Sequence, residues 1–284
     1  MKNMKQISRK GGQTMVAWDV SHKSLNELIA LQGRNAVVTG GARGIGKAIA
    51  LRLAEAGANV IIGDIHEDRA RETAQEIARR YNVKASGERL NVTEGDSIIA
   101  LADHVVQEYG GIDIWVNNAG TNRFNGVLEI ADEAWDNLMD INLRGTFVAS
   151  REAAKRMIAG KREGVIINIV STAGLKTSGN PAHYVASKHG IAGLTKSFAV
   201  ELAREGIRVI GIAPTIVETP LLAEFKEQAN EDVRQGMAEF ASRLPLGRAA
   251  MPDDIARVVL FAASDLAKFM TGVIIPVDGG ETAI

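Results

Sequence analysis

A tyrosine and a lysine four residues apart are the side chains whose types and spacing most directly suggest chemistry. They are Tyr184 and Lys188 in the stretch PAHYVASKHG, and residues four apart share one face of a helix. A phenol ionises with a pKa of about 10, and an adjacent ammonium group lowers that pKa by stabilising the phenolate. The pair could therefore exchange a proton with a carbonyl or hydroxyl oxygen. A core tyrosine beside a lysine is the structural alternative, whereas Tyr81 and Tyr109 have no lysine at this spacing.

A glycine-rich segment, TGGARGIG, runs from Thr39 to Gly46 between an apolar run and a helical pattern. Glycines permit a tight turn there, and the helix N-terminus offers unpaired N–H groups to a diphosphate. Asp64 follows about 20 positions later. In dinucleotide-binding folds a carboxylate at this distance binds the adenosine ribose and disfavours a 2′-phosphate. The segment therefore predicts a dinucleotide site that prefers NAD over NADP. Asp64 could also cap the next helix, and Arg43 argues for NADP because a guanidinium could bind the 2′-phosphate.

The elements that must position these residues are strands and helices in alternation. Apolar runs typical of strands are NAVVTG, NVIIGD, IDIWVNN, GVIINIVS, IRVIGIAP and GVIIPVDG, with a weaker run at VKASGERLNV. They are apolar throughout, as expected for a parallel sheet that is covered on both faces. The pattern predicts the α/β class, with one doubly wound sheet of about seven strands and helices on both faces.

The same pattern assigns residues 31–284 to one catalytic domain, because no segment rich in proline, glycine or serine divides the chain. A helical insertion near residues 219–250 interrupts the alternation, at a place where a lid over the substrate could lie. Residues 1–30 are predicted to be an N-terminal extension that is partly disordered. The extension begins with the basic MKNMKQISRK, and an amphipathic transit peptide is the alternative interpretation.

Five motifs in order make the chain resemble the short-chain dehydrogenase/reductase (SDR) family, with a T-G-x-x-x-G-x-G cofactor motif. They are TGGARGIG, NNAG at Asn117 to Gly120, NLRGTF from Asn142, the serine of INIVSTAG, and Y-V-A-S-K; the terminal VDGG also fits. The resemblance covers almost the whole of the predicted domain. It implies a Rossmann fold, a nicotinamide cofactor and a Ser-Tyr-Lys-Asn catalytic set.

The resemblance assigns a role to each member of that set. Ser171 would bind the substrate oxygen, and Tyr184 would act as the acid or base. Lys188 would also contact the nicotinamide ribose, and Asn142 would help to hold a water that relays protons to it. A turn serine and a buried structural asparagine are the alternatives for Ser171 and Asn142.

The cofactor and substrate residues are carried over by motif position. Those of the cofactor site are Gly40, Arg43, Gly44, Ile45, Gly46, Asp64, Ile65, Asn91, Val92, Asn118, Ala119, Gly120, Tyr184, Lys188, Pro214, Val217 and Thr219. Those near the substrate are Arg123, Thr172, His183 and Thr215. Two departures from the family pattern matter: Asn91 replaces an aspartate that contacts adenine, and Thr215 replaces a glycine near the nicotinamide.

Composition excludes several classes of function. A formal net charge of −1 leaves no electrostatic footprint for nucleic acid or a membrane surface, and no apolar run is long enough to span a bilayer. Without cysteine the chain lacks disulfide and thiolate chemistry, which is compatible with the predicted cytoplasmic location. The five histidines do not cluster at ligand spacing, so no metal site is predicted.

These inferences together predict an NAD(H)-dependent oxidoreductase. It would interconvert a secondary alcohol, of the sugar, polyol or hydroxy acid type, and its ketone by hydride transfer. The alternative is an NADPH-dependent reductase of 3-oxoacyl thioesters on acyl carrier protein or coenzyme A, which Arg43 would favour. A non-catalytic nucleotide-binding protein is a third interpretation, although the complete acid–base set argues against it. The resemblance also implies a homotetramer with the long helices around Asn142 and Tyr184 at its interfaces.

Overall fold

The fold is seen in a computed structural model that describes residues 19–122, 126–177, 179 and 181–284. Within these residues one sheet is formed by β1 (Asn35–Thr39), β2 (Asn59–Asp64), β3 (Ala85–Arg89), β4 (Ile114–Asn117), β5 (Gly164–Ile169), β6 (Ile207–Pro214) and β7 (Ile274–Val277). The strand order is β3-β2-β1-β4-β5-β6-β7, and every neighbouring pair is parallel. The predicted doubly wound α/β sheet is therefore confirmed.

Differences in burial explain why the sequence pattern of β3 was weaker than that of the other strands. All residues of β1, β4 and β6 are buried, and all but the first of β2 and β5, so these strands are apolar along their length. β3 is an edge strand with a single buried residue, Gly87, and its sequence ASGER is correspondingly polar. Gly87 packs so closely on α3 that a Cβ would lie 2.2 Å from the carbonyl carbon of Ala70.

The helices in the described residues connect and cover these strands. They are α1 (Leu25–Ile29), α2 (Gly44–Glu55), α3 (Glu67–Tyr81), α4 (Gly95–Tyr109), α5 (Asp132–Met139), α6 (Gly145–Ala159), α7 (Ala182–Leu202), α8 (Pro220–Gln228), α9 (Glu231–Arg243) and α10 (Pro252–Ala263). A π-helical turn, Asp140–Arg144, joins α5 to α6 without a break in the helical backbone.

The two larger hydrophobic clusters of the described residues lie on opposite faces of the sheet. On one face, α2, α3 and α10 pack through residues such as Ile49, Leu53 and Val259 against β1, β2, β5 and β6. On the other face, α4, α6 and α7 cover the sheet, with the fully buried Trp115 of β4 in the middle of that core. Burial on both faces stabilises the parallel sheet. The sheet in turn places the ends of its strands at one edge, the carboxyl edge.

The predicted insertion corresponds to α8 and α9 and the turns beside them. Its two ends meet in an isolated parallel bridge between Val217 and Ala250, where the Ala250 N–H donates to the Ile216 carbonyl at 3.0 Å. None of the residues of α9 is buried. We refer to residues 219–250 as the lid segment, a name that states its predicted role.

The described part of the predicted extension lies against the domain. α1 begins with a capping box between Ser24 and Glu27, and the Lys23 ammonium is 2.5 Å from the Asp265 carboxylate. Residues 1–18 and the predicted substrate residue Arg123 lie outside the described residues. Among the helices that the structure describes, none is both long and apolar enough to cross a membrane.

Candidate active site

The predicted site residues gather at the carboxyl edge of the sheet, around the neighbouring strands β1 and β4. The helix that follows β1, α2, covers one face, whereas α6, which follows β4, covers the other. Because the chain leaves these two adjacent strands toward opposite faces of the sheet, a crevice lies between them, and in doubly wound folds ligands bind in it. The topology therefore brings together motifs that are far apart in sequence.

The glycine-rich turn between β1 and α2 forms a cradle with no room for side chains. Gly40 has φ +63°, and a Cβ there would lie 2.9 Å from the Cα of Ala119. A Cβ on Gly46 would lie 2.2 Å from the Gly40 carbonyl oxygen. Ile45 packs partly buried against the core, which fixes the first turn of α2. Glycine at these positions therefore lets the turn pack closely against the end of β4, and the N-terminus of α2 follows it with the N–H groups that a diphosphate requires.

The end of β4 supports this cradle. The Asn118 side-chain amide donates to the carbonyl oxygens of Thr39 and Gly40, at 2.9 Å each. The Thr39 hydroxyl accepts from the backbone N–H groups of Asn118 and Ala119, at 3.0 Å each. Both amide hydrogens of Asn118 are thus used to stabilise the turn itself. Thr39 was not among the predicted site residues, although it begins the glycine motif.

Asp64 lies at the end of β2 with its side chain 8% exposed. One carboxylate oxygen accepts the Ala42 N–H at 3.1 Å, and the other accepts the His66 N–H at 3.0 Å. The carboxylate is thereby fixed against the glycine turn, and each oxygen retains a further lone pair for a ribose hydroxyl. Ile65, the next predicted residue, is 57% exposed beside it.

The side chain of Arg43 contacts a residue far outside the glycine motif. Its guanidinium forms an ion pair with Glu224 of α8, which is 181 positions away in sequence. The lid segment starts beside the same turn, because Thr219 and Pro220 lie 3.7 Å from the position of a Cβ on Gly44.

The Asn91 side chain is engaged in the turn that precedes α4, and its predicted contact with adenine stays a prediction. Its side-chain oxygen already accepts from the Thr93 N–H at 3.1 Å and from the Thr93 hydroxyl at 2.9 Å, while its amide donates to Glu94. The side chain therefore forms the turn before α4, and a bond to adenine would compete with these contacts. The carbonyl oxygen of Val92 lies 3.0 Å from the position of a Cβ on Gly145, so it packs on α6.

The end of β6 supplies the far side of the crevice. Thr219 caps α8, its hydroxyl accepting the Leu222 N–H at 3.2 Å. Pro214 ends the strand, and Val217 is buried at the base of the lid segment. The Thr215 hydroxyl is buried and has no hydrogen-bond partner among the described residues. The sequence departure at Thr215 thus places a buried polar group where the family pattern has none.

The side chains of Ser171 and Tyr184, which were predicted to be catalytic, lie close enough for Ser171 to influence the pKa of the phenol. Ser171 follows β5, and its hydroxyl also accepts the Ala173 N–H at 3.1 Å, at the start of a short 3-10 turn. Burial raises the pKa of Tyr184, and the hydrogen bond with Ser171 lowers it by less. The expectation that Lys188 sets a lowered pKa is therefore wrong for this structure, because burial of the phenol outweighs the other effects.

Lys188 lies beside the tyrosine ring, not against its hydroxyl. Its ammonium nitrogen is 5.6 Å from the centroid of the Tyr184 ring and donates to the Ile169 carbonyl at 3.0 Å. The residue is 7% exposed, and burial lowers the pKa of Lys188 to about 8. The ammonium group is thus still mostly protonated at neutral pH, and it contributes a positive charge inside the site.

Asn142 is buried in the π-helical turn and its side chain is fully engaged. Its amide donates to the Thr121 carbonyl at 2.9 Å and to the Ser187 hydroxyl at 3.2 Å, and its oxygen accepts the Thr121 N–H at 2.9 Å. Ser187 in turn donates to the Tyr184 carbonyl at 2.8 Å. The side chain therefore ties the loop that follows Gly120 to the helix that carries Tyr184 and Lys188, and a role in a proton relay stays a prediction.

Two of the predicted substrate residues are buried. His183 is completely buried, its Nδ1 accepting the Tyr184 N–H at 3.0 Å, while burial lowers the pKa of its imidazole. Thr172 is 5% exposed in the turn after Ser171. This burial gives His183 no open face toward a substrate, and the Tyr184 backbone contact is what orients it.

Several residues of the site were missed by sequence reasoning because their partners are distant. Ser187 was not among the predicted site residues, yet it links Asn142 to the Tyr184 carbonyl. A buried amide pair, Asn117 and Asn168, crosses from β4 to β5, with the Asn117 amide donating to the Asn168 oxygen at 2.8 Å. The Asn168 amide continues to the Thr195 hydroxyl on α7 at 2.9 Å. A polar residue within an apolar strand was the only signal available for Asn168.

The arrangement defines a class of protein. A glycine cradle with a carboxylate at the ribose position fits a nicotinamide dinucleotide, and a serine–tyrosine pair beside a buried lysine fits acid–base chemistry at a substrate oxygen. No group of acidic or histidine side chains that could hold a metal occurs in residues 19–122, 126–177, 179 or 181–284. The fold and the site are therefore those of a dinucleotide-dependent oxidoreductase.

Comparison with known proteins gives the family. Residues 40–282 match the family described as Enoyl-(Acyl carrier protein) reductase. A solved short-chain type dehydrogenase/reductase from Mycobacterium marinum superposes with a TM-score of 0.85 at 35% identity, covering 92% of this chain and all of that one. The chain belongs to the short-chain dehydrogenase/reductase family, whose members use NAD(P) cofactors.

Two curated relatives are similar over almost their whole length. The 3-oxoacyl-[acyl-carrier-protein] reductase FabG of Thermotoga maritima is 40% identical over 250 residues, which cover 88% of this chain and 98% of that protein. The cis-4-hydroxycyclohexanecarboxylate dehydrogenase of Sinomonas cyclohexanicum is 41% identical over 259 residues, which cover 90% and 99%. One relative is thus named for a reductase of a thioester-bound ketone and the other for a dehydrogenase of a cyclic hydroxy acid.

Proposed function

We propose that the chain transfers a hydride between a nicotinamide cofactor and a carbon that alternates between ketone and secondary alcohol. The observation that carries this proposal is the buried ammonium of Lys188, 5.6 Å from the centroid of the Tyr184 ring, with Ser171 close enough to influence the pKa of the phenol. When bound, the nicotinamide supplies or accepts the hydride. The side chains of the protein must then orient the oxygen and move its proton.

The pKa directions favour proton donation to a ketone. Because burial raises the pKa of Tyr184, the phenol is protonated near neutral pH and can give its proton to a carbonyl oxygen. Donation leaves a phenolate, which the charged Lys188 stabilises from beside the ring. The Ser171 hydroxyl can donate to the same substrate oxygen as negative charge develops there.

A 3-oxoacyl thioester is the substrate class that we place first. Support comes from the T. maritima relative and from the family description, both of which refer to acyl carrier protein. This differs from the expected sugar, polyol or hydroxy acid, and it adopts the alternative that the sequence left open. The lid segment borders the crevice, where it could accommodate the acyl chain.

An alicyclic hydroxy acid is the second candidate. It is supported by the S. cyclohexanicum relative, which is named for a dehydrogenase of such an acid. We propose NAD(H) as the cofactor in either case. The support is the Asp64 carboxylate, held 3.1 Å from the Ala42 N–H where a 2′-phosphate would have to pass.

A homotetramer and a cytoplasmic location also remain proposals. Large apolar side chains are exposed on the long helices that were expected at the interfaces, including Phe147 and Ile158 on α6 and Val200 on α7. A patch of this kind is typical of a surface that a partner copy covers. Light scattering coupled to size-exclusion chromatography would give the mass directly.

One assay tests both candidates. The purified protein is incubated with acetoacetyl-coenzyme A and NADH or NADPH, and in parallel with 4-hydroxycyclohexanecarboxylate or a polyol and NAD or NADP, while absorbance at the wavelength of the reduced nicotinamide is followed. We expect the highest kcat/KM for the thioester with NADH. Turnover of the alcohols alone would reject the thioester, and a preference for NADPH would reject the role given to Asp64.

A further inference from the structure

The ion pair between Arg43 and Glu224 connects the glycine turn to the lid segment. Both terminal nitrogens of the guanidinium face the two carboxylate oxygens, the second contact being 3.4 Å from Nη2 to Oε2. Such a two-point contact uses the planar edge that a guanidinium offers to a phosphate. Arg43 therefore already has an anionic partner on its phosphate-binding edge.

The position of Arg43 makes that partner relevant to the cofactor. Arg43 precedes Gly44 at the start of α2, and the Ala42 N–H just before it donates to the Asp64 carboxylate at 3.1 Å. The guanidinium and the ribose-binding carboxylate thus belong to one short stretch of the crevice wall. A 2′-phosphate at the adenosine ribose would meet Asp64, Arg43 and Glu224 together.

Charge decides between the two cofactors at this place. Glu224 neutralises the Arg43 guanidinium, and the Asp64 carboxylate beside the same turn adds a negative charge, so a 2′-phosphate would bring about two further negative charges to a place with no unpaired cation shown for it. NAD has only a ribose hydroxyl there, which can donate to Asp64 at no electrostatic cost. Arg43 by itself would favour NADP, but its pairing with Glu224 cancels that preference.

We propose that Glu224 is a cofactor-specificity residue, which excludes NADP by occupying the guanidinium of Arg43 from the lid segment. This inference rests on the proposed NAD(H) dependence and adds to it a second determinant, located 160 positions beyond Asp64. The pair is open to solvent, with the Arg43 and Glu224 side chains 36% and 51% exposed. It therefore contributes little to folding stability, and a variant can be studied as a folded protein.

The test compares Glu224→Gln with a matched control on the same helix, Glu227→Gln. Glu227 is also exposed on α8, and within the described residues no ion pair of its side chain is seen. Binding of NADH and of NADPH is measured separately by nicotinamide fluorescence, without substrate. We expect Glu224→Gln to lower the Kd for NADPH about tenfold and to change the Kd for NADH less than about twofold, with Glu227→Gln close to the parent for both cofactors.

Arg43 must carry the effect if the inference is right. The double variant Arg43→Ala/Glu224→Gln should bind NADPH no better than Arg43→Ala alone, because the freed guanidinium is then missing. Equal gains from Glu224→Gln and Glu227→Gln, equal gains for both cofactors, or no gain would each overturn the inference. A parent protein that prefers NADPH would instead reject the proposed NAD(H) dependence, and this result is read from the parent alone.

Discussion

Helix α7, which carries the proposed acid–base residues, and helix α9, which lies in the lid segment, are held in the protein in very different ways. α7 buries seven residues, among them Ser187 and Lys188, and its polar groups bond to Asn142, Asn168 and Ile169 on other elements. α9 buries none of its residues, and its ion pairs join residues three or four apart within the helix. Positions on α7 are thus fixed from many sides, whereas the ion pairs of α9 lie within the helix itself.

The difference follows from what each element must do. Proton transfer requires heavy atoms within about 3 Å of each other, so the tyrosine has to be held by packing and by bonded neighbours. A lid must instead leave and return, and weak surface contacts allow it to do so at little cost. Substitutions on α7 should therefore change kcat. Substitutions on α8 and α9 should change the preference for one cofactor over the other, or should leave activity and binding unchanged.

The largest effect is expected for Tyr184→Phe. The substitution keeps the ring but removes the hydroxyl that we propose donates the proton. We expect kcat to fall about 10²- to 10⁴-fold, the contribution typical of a positioned general acid, with the Kd for NADH unchanged by fluorescence titration. If the variant kept more than a tenth of the parent activity, another group would have to be the acid.

The pH dependence of reduction should report Lys188. Its pKa is lowered by burial to about 8, so its ammonium is present below that pH and is lost as the pH rises through it. We expect kcat/KM for ketone reduction to be level below pH 8 and to fall about tenfold per pH unit above it. In Lys188→Arg the guanidinium stays charged, so the falling limb should move above pH 10. If kcat/KM fell at the same pH in both proteins, Lys188 would not be the group that causes the fall.

The region around α7 and the lid segment differ in how much of their structure could be predicted from the sequence. Buried apolar runs predicted the strands, and motif order predicted the glycine turn and the Tyr184–Lys188 pair, because these signals are local. The direction of the pKa of Tyr184 was predicted wrongly, because burial is a tertiary property that the i, i+4 spacing does not contain. The Arg43–Glu224 pair was not predicted, since nothing local in the sequence marks a contact between residues so far apart.

A moderate effect on stability is expected for Asn142→Ala. The truncation removes the amide that pairs with both backbone groups of Thr121 and leaves the Ser187 hydroxyl with one partner fewer. We expect the free energy of unfolding to fall by about 1–3 kcal/mol, measured by urea denaturation. The exposed Asn137 on α5 gives the control Asn137→Ala, for which we expect less than about 0.5 kcal/mol. Equal losses in the two variants would mean that the buried contacts of Asn142 do not stabilise the fold.

The smallest effect is expected on α9, for Glu239→Gln. Glu239 contacts Arg243 one turn later at 3.0 Å, and the two side chains are 49% and 78% exposed. Exposed pairs at this spacing contribute about 0.3–0.5 kcal/mol at most, because water and salt screen them. We therefore expect a change in unfolding free energy of at most that size, smaller still at high salt, with kcat unchanged. A loss above about 1 kcal/mol would mean that α9 is held by the domain as firmly as α7, and the contrast between the two helices would fail.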